Sequence, residues 1–432
     1  MRTIRLALRG RDLRLLLAAA LVSMTGDWVL RIGLTYYVYA LTGSTLASAL
    51  MLLTSFAPQI VLGSVAGVFV DRWDLRRTMV ATDVLLALGL LPLLAVHRAG
   101  QMWIVYLVSA GQGCIQQFFT PAEQSLLPRL VDDEHLITAN ALGSQNNDMS
   151  RLVGSAIGGV VTALGGITLL ALVDVSSFLF SAGLIAAIRT GRIDRGNRGD
   201  RGEKRARRVG GELRARVARL RTEWADGLRL SAQHRVLRII GLFVMVTCLG
   251  EGVMGTLFAP YVRASLHASS STYGVISAAQ AVGGICGGLL AALLGHRYSA
   301  ARVMGLSALA FGTIDLALFL YPLAYVAAWP AIALMILVGG PGALLTAATT
   351  TVLQRNTTPT HRGRVFGALG AIEGLAIVAG ALAAGFLGRS LGIIPTLAAQ
   401  GGGYVLAGLL VLVTLHADDG VGASPGDVSK NP

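Results

Sequence analysis

The chain has 432 residues, of which 54% are hydrophobic and only 14% charged, with 54 glycines and a mean hydropathy of +0.65, and these proportions exclude an ordinary soluble domain. A net charge of +13 raises the question of a nucleic-acid partner, but the basic residues gather in the amino-terminal segment, in turns and in one central stretch, so no basic soluble domain is there to bind one. Cys114, Cys248 and Cys286 lie in apolar runs and are odd in number, which supports neither a disulfide framework nor a metal cage.

A helix crosses a bilayer in roughly 20 apolar residues, and on that measure the composition predicts an all-α membrane protein. Twelve spans are predicted near 13–40, 45–70, 78–96, 102–127, 138–163, 166–188, 236–262, 271–295, 301–322, 328–353, 363–387 and 392–416. The basic start, Arg2 to Arg14, has the charge of a leader peptide, yet the apolar run after it is too long and lacks a clear cleavage site, so it is expected to begin the first anchored helix. Arginines mark the even-numbered turns, among them Arg129, Arg297, Arg302 and Arg355, whereas the opposite face holds only Arg98, Arg263 and Arg389. Positive turns stay inside, so both termini are expected to be cytoplasmic in a multi-pass protein of the cell membrane. Trp103 and Trp329 open the fourth and tenth spans on the outer side, where indole rings favour the interface.

The second turn is the most informative. In GSVAGVFVDRWDLRRTM (63–79) an apolar run stops at Asp71, and Arg72, Asp74, Arg76 and Arg77 follow before hydrophobicity resumes at Met79. Each of these charges would cost about 2.5–3.5 kcal/mol at mid-bilayer, which places the turn in water. The pattern from Gly67 through Asp71, Arg72, Asp74, Arg76 and Arg77 resembles the signature loop between the second and third helices of the major facilitator superfamily. Asp74 stands where the superfamily usually has glycine, a variant similar to the macrolide-efflux and enterobactin-exporter branch. The resemblance implies two pseudo-symmetric six-helix bundles around a central site, and a latch in which Asp71 caps the eleventh helix near Arg362 and Arg364 when the cytoplasmic side is shut. The alternative is that these charges serve orientation only.

Between 189 and 235 the chain turns strongly basic, dividing an amino-terminal bundle (1–188) from a carboxy-terminal bundle (236–416); a polar tail (417–432) is expected to be disordered. Leu213, Val217, Leu220 and Trp224 recur at helical spacing in that stretch, which suits either an amphipathic helix on the inner leaflet or a solvated tether. Sliding the second half back by about 225 residues brings Asp27 onto Glu251, Trp103 onto Trp329, Arg129 onto Arg355, Gly154 onto Gly380 and Gly159 onto Gly385. The constant offset marks an internal repeat.

Ionisable residues within spans are functional candidates by default. Asp27 and Glu251 fall near mid-depth of the first and seventh spans, Asp148 and Arg151 in the fifth, and Glu373 in the eleventh. Asp27 with Arg31, and Asp148 with Arg151, have helical spacing for local ion pairs, so each acid is either a proton-coupling or ligand group or half of a structural pair. A desolvated carboxyl takes up and releases protons near neutral pH, and Glu251 and Glu373 have no local cation. Asp83 is expected to face water or Arg77, and Asp174 and Asp315 to serve packing. Gly154, Gly158 and Gly159 after Arg151 permit close helix approach and resemble the fifth-helix antiporter motif of drug exporters, although Ser155 replaces its proline. Trp28, Tyr36, Phe118 and Phe119 are expected to line the cavity with aromatic surface, joined by Gln112, Gln116 and Thr346 to Thr351.

Phosphate-loop, H-E-x-x-H, paired-cysteine and G-x-S-x-G motifs are absent, so no enzyme, metal or cofactor is expected. The reading is a monomeric secondary transporter in the lipid bilayer that exports amphipathic small molecules of drug, macrolide or siderophore type in exchange for protons. An importer of the same fold and a non-transporting scaffold are the alternatives.

Overall fold

The computed structural model describes residues 10–70, 73–131, 135–189, 234–294, 299–357 and 362–415. The expected basic linker helix, Asp71, Arg72 and the tail lie outside the described residues. Among the described residues every regular element is helical. In chain order these are α1 (Arg11–Thr42), α2 (Thr45–Val70), α3 (Leu75–Leu90) and α4 (Met102–Leu130). The next helix, Leu136–Ala186, is broken at Gly166 into two limbs, α5 (136–165) and α6 (167–186). The second half has α7 (Arg235–Pro260), α8 (Ser270–Leu294), α9 (Ala300–Leu320), α10 (Trp329–Arg355), α11 (Arg362–Ser390) and α12 (Ile393–Thr414).

The break explains how one helical run supplies two spans. At about 1.5 Å per residue, 51 residues are more than twice the length needed for a bilayer core of about 30 Å. Gly166 has φ 56° and ψ −147°, a backbone state that side chains disfavour and glycine tolerates. The contacts on α1 reverse there: Gly154, Gly158 and Thr162 climb it past Thr25, Val29 and Gly33, then Leu170 and Ser177 descend it past Gly33 and Gly26.

Close backbone approach through glycine reproduces the internal repeat in three dimensions. Gly154 and Gly158 lie so near Thr25, Trp28 and Val29 that a methyl group would not fit, and Gly380 and Gly252 pair α11 with α7 in the same manner against Leu249 and Ile377. Gly159 instead presses across the boundary between halves, onto Ser270 and Gly274 of α8; its repeat partner Gly385 presses onto Leu46 and Ala49 of α2. One core is built around Leu86, Leu90, Val105 and Phe178 of the amino-terminal half; another, around Phe243, Leu257, Met304, Phe319 and Val338 of the carboxy-terminal half, also takes in Ile32 and Tyr36 of α1.

Both crossings lie toward the end bearing the α1–α2 and α7–α8 turns, and polar contacts close the same end. The Tyr36 hydroxyl donates to Ala268 O at 2.9 Å, Arg263 donates to the Tyr36 oxygen at 3.2 Å, and Thr45 donates to Gly385 O at 2.8 Å. Tyr36 also lies 5.8 Å from the Tyr273 ring. At the opposite end α3 and α9 begin alike: Asp74 accepts from Arg77 N at 2.8 Å and Ser299 from Arg302 N at 3.4 Å, both as N-caps.

Candidate functional site

Two cavities within this frame are lined by acids that the sequence singles out. The larger, about 730 Å³, lies between the halves and is lined by Asp148 and Arg151 of α5, Glu251 of α7, Gln280 of α8, Thr346 of α10 and Tyr404 of α12. The smaller, about 350 Å³, belongs to the amino-terminal half and is lined by Asp27, Arg31, Ser55, Phe56, Gln112 and Gln116. Ligand chambers of such size, with a few convergent polar groups, are the usual form of a small-molecule site.

Glu251 faces the larger cavity and accepts a 2.6 Å hydrogen bond from the Tyr404 hydroxyl. Glu373 is exposed on α11, close enough to Glu251 for their charges to interact. Arg151 donates to Gln280 Oε1 at 2.8 Å, tying the two halves together at cavity depth.

The local ion pairs that helical spacing allows, the structural alternative for Asp27 and Asp148, do not form. Neither Asp27 with Arg31 nor Asp148 with Arg151 comes within the 4.0 Å that defines such a pair. The Arg31 guanidinium lies 5.0 Å from the Trp28 ring centroid and 5.8 Å from that of Phe56, while Arg151 lies 6.0 Å from Trp28 on its way to Gln280. Aromatic faces and an amide have taken the arginines, which leaves Asp148 and Glu251 turned toward the open space.

Other expectations are corrected as well. Asp83 faces neither water nor Arg77 and is fully buried (0% exposed), because α3 packs that face against α6. Of the four expected lining aromatics only Trp28 borders the cavity groups. Tyr36 is in the clasp between halves, Phe119 is buried in the amino-terminal core, and Phe118 stacks 6.0 Å from Trp73 on an outer groove. Gln280 and Tyr404 are not singled out by the sequence; each lies in a helix with several other polar residues, and only tertiary packing turns Gln280 to Arg151 and Tyr404 to Glu251.

In the signature loop, Gly67 lies within α2, Asp74 caps α3, Arg77 is exposed and Arg76 donates to Ile188 O at 2.7 Å, fastening the start of α3 to the end of α6. Among the described residues no group of three or more metal-ligating side chains converges.

A family model described as "Transmembrane secretion effector" matches residues 6–422. The chain is 26% identical over 409 residues to the multidrug efflux pump Tap of Mycobacterium tuberculosis, covering 92% of each. It is 25% identical over 174 residues to macrolide efflux protein A of Streptococcus pyogenes and 28% over 176 to the uncharacterised MFS-type transporter YfiS of Bacillus subtilis. Those two alignments span less than half of either relative, 43% and 42% of their lengths. Among solved structures, a bacterial homologue of the iron transporter ferroportin in its inward-facing state superposes with a TM-score of 0.72 at 13% identity, covering 93% of this chain and 98% of that one. A bacterial homologue of the lysosomal transporter Spinster gives 0.70 at 14%, covering 96% and 99%.

Proposed function

Because the chain belongs to the transmembrane secretion effectors of the major facilitator superfamily, we propose that it exports amphipathic small molecules in exchange for protons, by alternating access of the larger cavity to the two membrane faces. The observation that carries this reading is Glu251, a carboxylate at cavity depth that both a ligand and a proton can reach, held by Tyr404 and flanked by groups from both halves. A carboxyl in such a place is the natural group for competition between proton and ligand, since a charge gained or lost in a site of low dielectric changes its affinity strongly. Moving one charge inward across 100 mV releases about 2.3 kcal/mol, enough to bias such a cycle.

The two efflux relatives support a drug or macrolide as the ligand class. The excess of arginine in the even-numbered turns supports a cytoplasmic location for both termini in the cell membrane. The same reading takes 1–188 and 236–416 as the moving units, joined by the basic stretch 189–235 and followed by the tail 417–432, in a monomer. Asp71 would latch the α2–α3 turn onto the start of α11, with Arg72, Asp74, Arg76 and Arg77 holding the turn in water.

The test is transport by the full chain in phospholipid vesicles, with a pH-sensitive dye inside and ethidium or erythromycin as probe. Export predicts proton movement opposite to the probe, abolished in Glu251→Gln with normal insertion. Movement in the same direction would make the protein an importer, and no movement of either would leave a non-transporting role.

A further inference from the structure

Glu251 meets Tyr404 at a point where three helices of the carboxy-terminal half are pressed together. The residue before it on α7 is Gly250, where an added methyl would come 2.9 Å from Gln400 Cγ and 3.3 Å from Tyr404 Cε2. Gln400 and Tyr404 stand one turn apart on α12 and so share a face. Phe311 and Asp315 stand one turn apart on α9 and meet that face at the same two levels. Gln400 Nε2 donates to Asp315 Oδ2 at 2.9 Å, and the rings of Phe311 and Tyr404 lie 4.6 Å apart.

The backbones of α9 and α12 are equally close here. At Gly312 an added methyl would lie 2.6 Å from Gly401 O, 2.7 Å from Val405 N and 2.9 Å from Tyr404 Cβ. Small residues let helices approach closely, but a smooth contact of this kind does not fix their rotation or level. A hydrogen bond does, because it weakens steeply when bent or stretched. Asp315 is 2% exposed and Gln400 5%, so neither has water to turn to, and a buried polar group left without its partner carries the full cost of desolvation. Among the described residues Gln400 Oε1 has no hydrogen-bond partner, so the amide is tied through its bond to Asp315.

We propose that Asp315 and Gln400 form a buried clamp that sets the register of α12 on α9, and that its role is to hold Tyr404 where its hydroxyl reaches Glu251. Gln400 is thereby a positioning residue for the acid of the larger cavity, one helical turn from the tyrosine it places. Asp315 serves as the acceptor of that bond and not as a proton carrier. The positioning stands on these contacts, whereas its consequence for transport rests on the proton-coupled reading above.

Infrared difference spectra of the full chain in phospholipid vesicles identify the ring C–O stretch of Tyr404 as the band that Tyr404→Phe removes, and its position reports whether the hydroxyl donates a hydrogen bond. Gln400→Met, which keeps the bulk and removes the donor, should displace that band. Asp315→Leu combined with Gln400→Met leaves neither polar group of the pair behind and should displace it likewise, even where the single variant does not insert. Asp315→Asn combined with Gln400→Glu exchanges acid and amide at unchanged side-chain length, so the bond reforms with its donor and acceptor reversed and the band should return. A band that ignores loss of the pair would overturn the positioning, as would an exchanged pair that folds and leaves the band displaced. Ethidium movement driven by a pH gradient should fall about tenfold in Gln400→Met and no further when Tyr404→Phe is added, since residues acting through one contact are not additive. Losses that multiply would overturn the positioning. The exchanged pair should restore movement together with the band; a restored band without movement would make Asp315 a proton carrier and overturn its assignment as acceptor. A wild-type protein that moves no ethidium would instead sink the transport reading and leave the infrared result standing.

Discussion

Tyr404 of the last helix donates a hydrogen bond to Glu251 at 2.6 Å, so the acid that faces the larger cavity is positioned by the helix behind it. A hydrogen bond to a charged group contributes about 1.5–3 kcal/mol. Tyr404→Phe should therefore lower proton-driven transport by roughly tenfold or more while leaving the protein folded, since the ring still packs 4.6 Å from Phe311. Initial rates in vesicles beside size-exclusion profiles would check this, and wild-type rates would show that the contact is idle.

The glycines of α5 should separate by partner. Gly158→Val drives a branched side chain into the α1 backbone at Val29, an overpacking that costs about 1–3 kcal/mol or more, and thermal stability should fall. Gly159→Val instead wedges α5 from α8 at the junction of the halves, so it should shift the balance between conformations, read by cysteine accessibility at the α1–α2 end. Gly111→Ala, which meets nothing within 4 Å, is the neutral control.

Opening the closed end requires breaking the contacts of Tyr36 with Ala268 and Arg263. Tyr36→Phe removes both at a cost of about 1 kcal/mol each, which should move the conformational equilibrium about thirtyfold toward the state open at that end. Distances between spin labels on the α1–α2 and α7–α8 turns would report the shift; an unchanged distribution would show that glycine packing alone keeps the end closed.

Asp74 departs from the glycine usual in its superfamily, and the structure assigns it a cap. Asp74→Ala should cost about 0.5–2 kcal/mol and Asp74→Gly only a few tenths, with Asp74→Asn close to wild type. Thermal unfolding of the three variants in detergent would rank them, and equal losses in all three would point to a charge effect elsewhere.

Much of the architecture was legible in the chain because a bilayer imposes a simple rule: some twenty apolar residues per crossing, with charge left at the ends. The boundary between α5 and α6 was visible for the same reason, near Gly166. The repeat was legible too, and the glycine pairs Gly154 with Gly380 and Gly159 with Gly385 carry matching contacts. Side-chain partners were not legible. Helical spacing put Asp27 beside Arg31 and Asp148 beside Arg151, but spacing only lists neighbours; whether an arginine turns to its carboxylate depends on what else is within its reach, and here Trp28, Phe56 and Gln280 are.

By itself the sequence therefore determined a helical membrane protein of two related halves with acids in its spans, since hydropathy, charge and offset are properties of the chain alone. Only the tertiary structure decided which acids face the chamber and which are sealed behind it. Asp83, Asp174, Asp315 and Glu251 all lie within apolar spans, and which of them is sealed and which faces the cavity comes from the helix that packs against each face. Contacts such as those of Asp315 with Gln400 and Glu251 with Tyr404, 85 and 153 residues apart, supply that, and no local pattern records them.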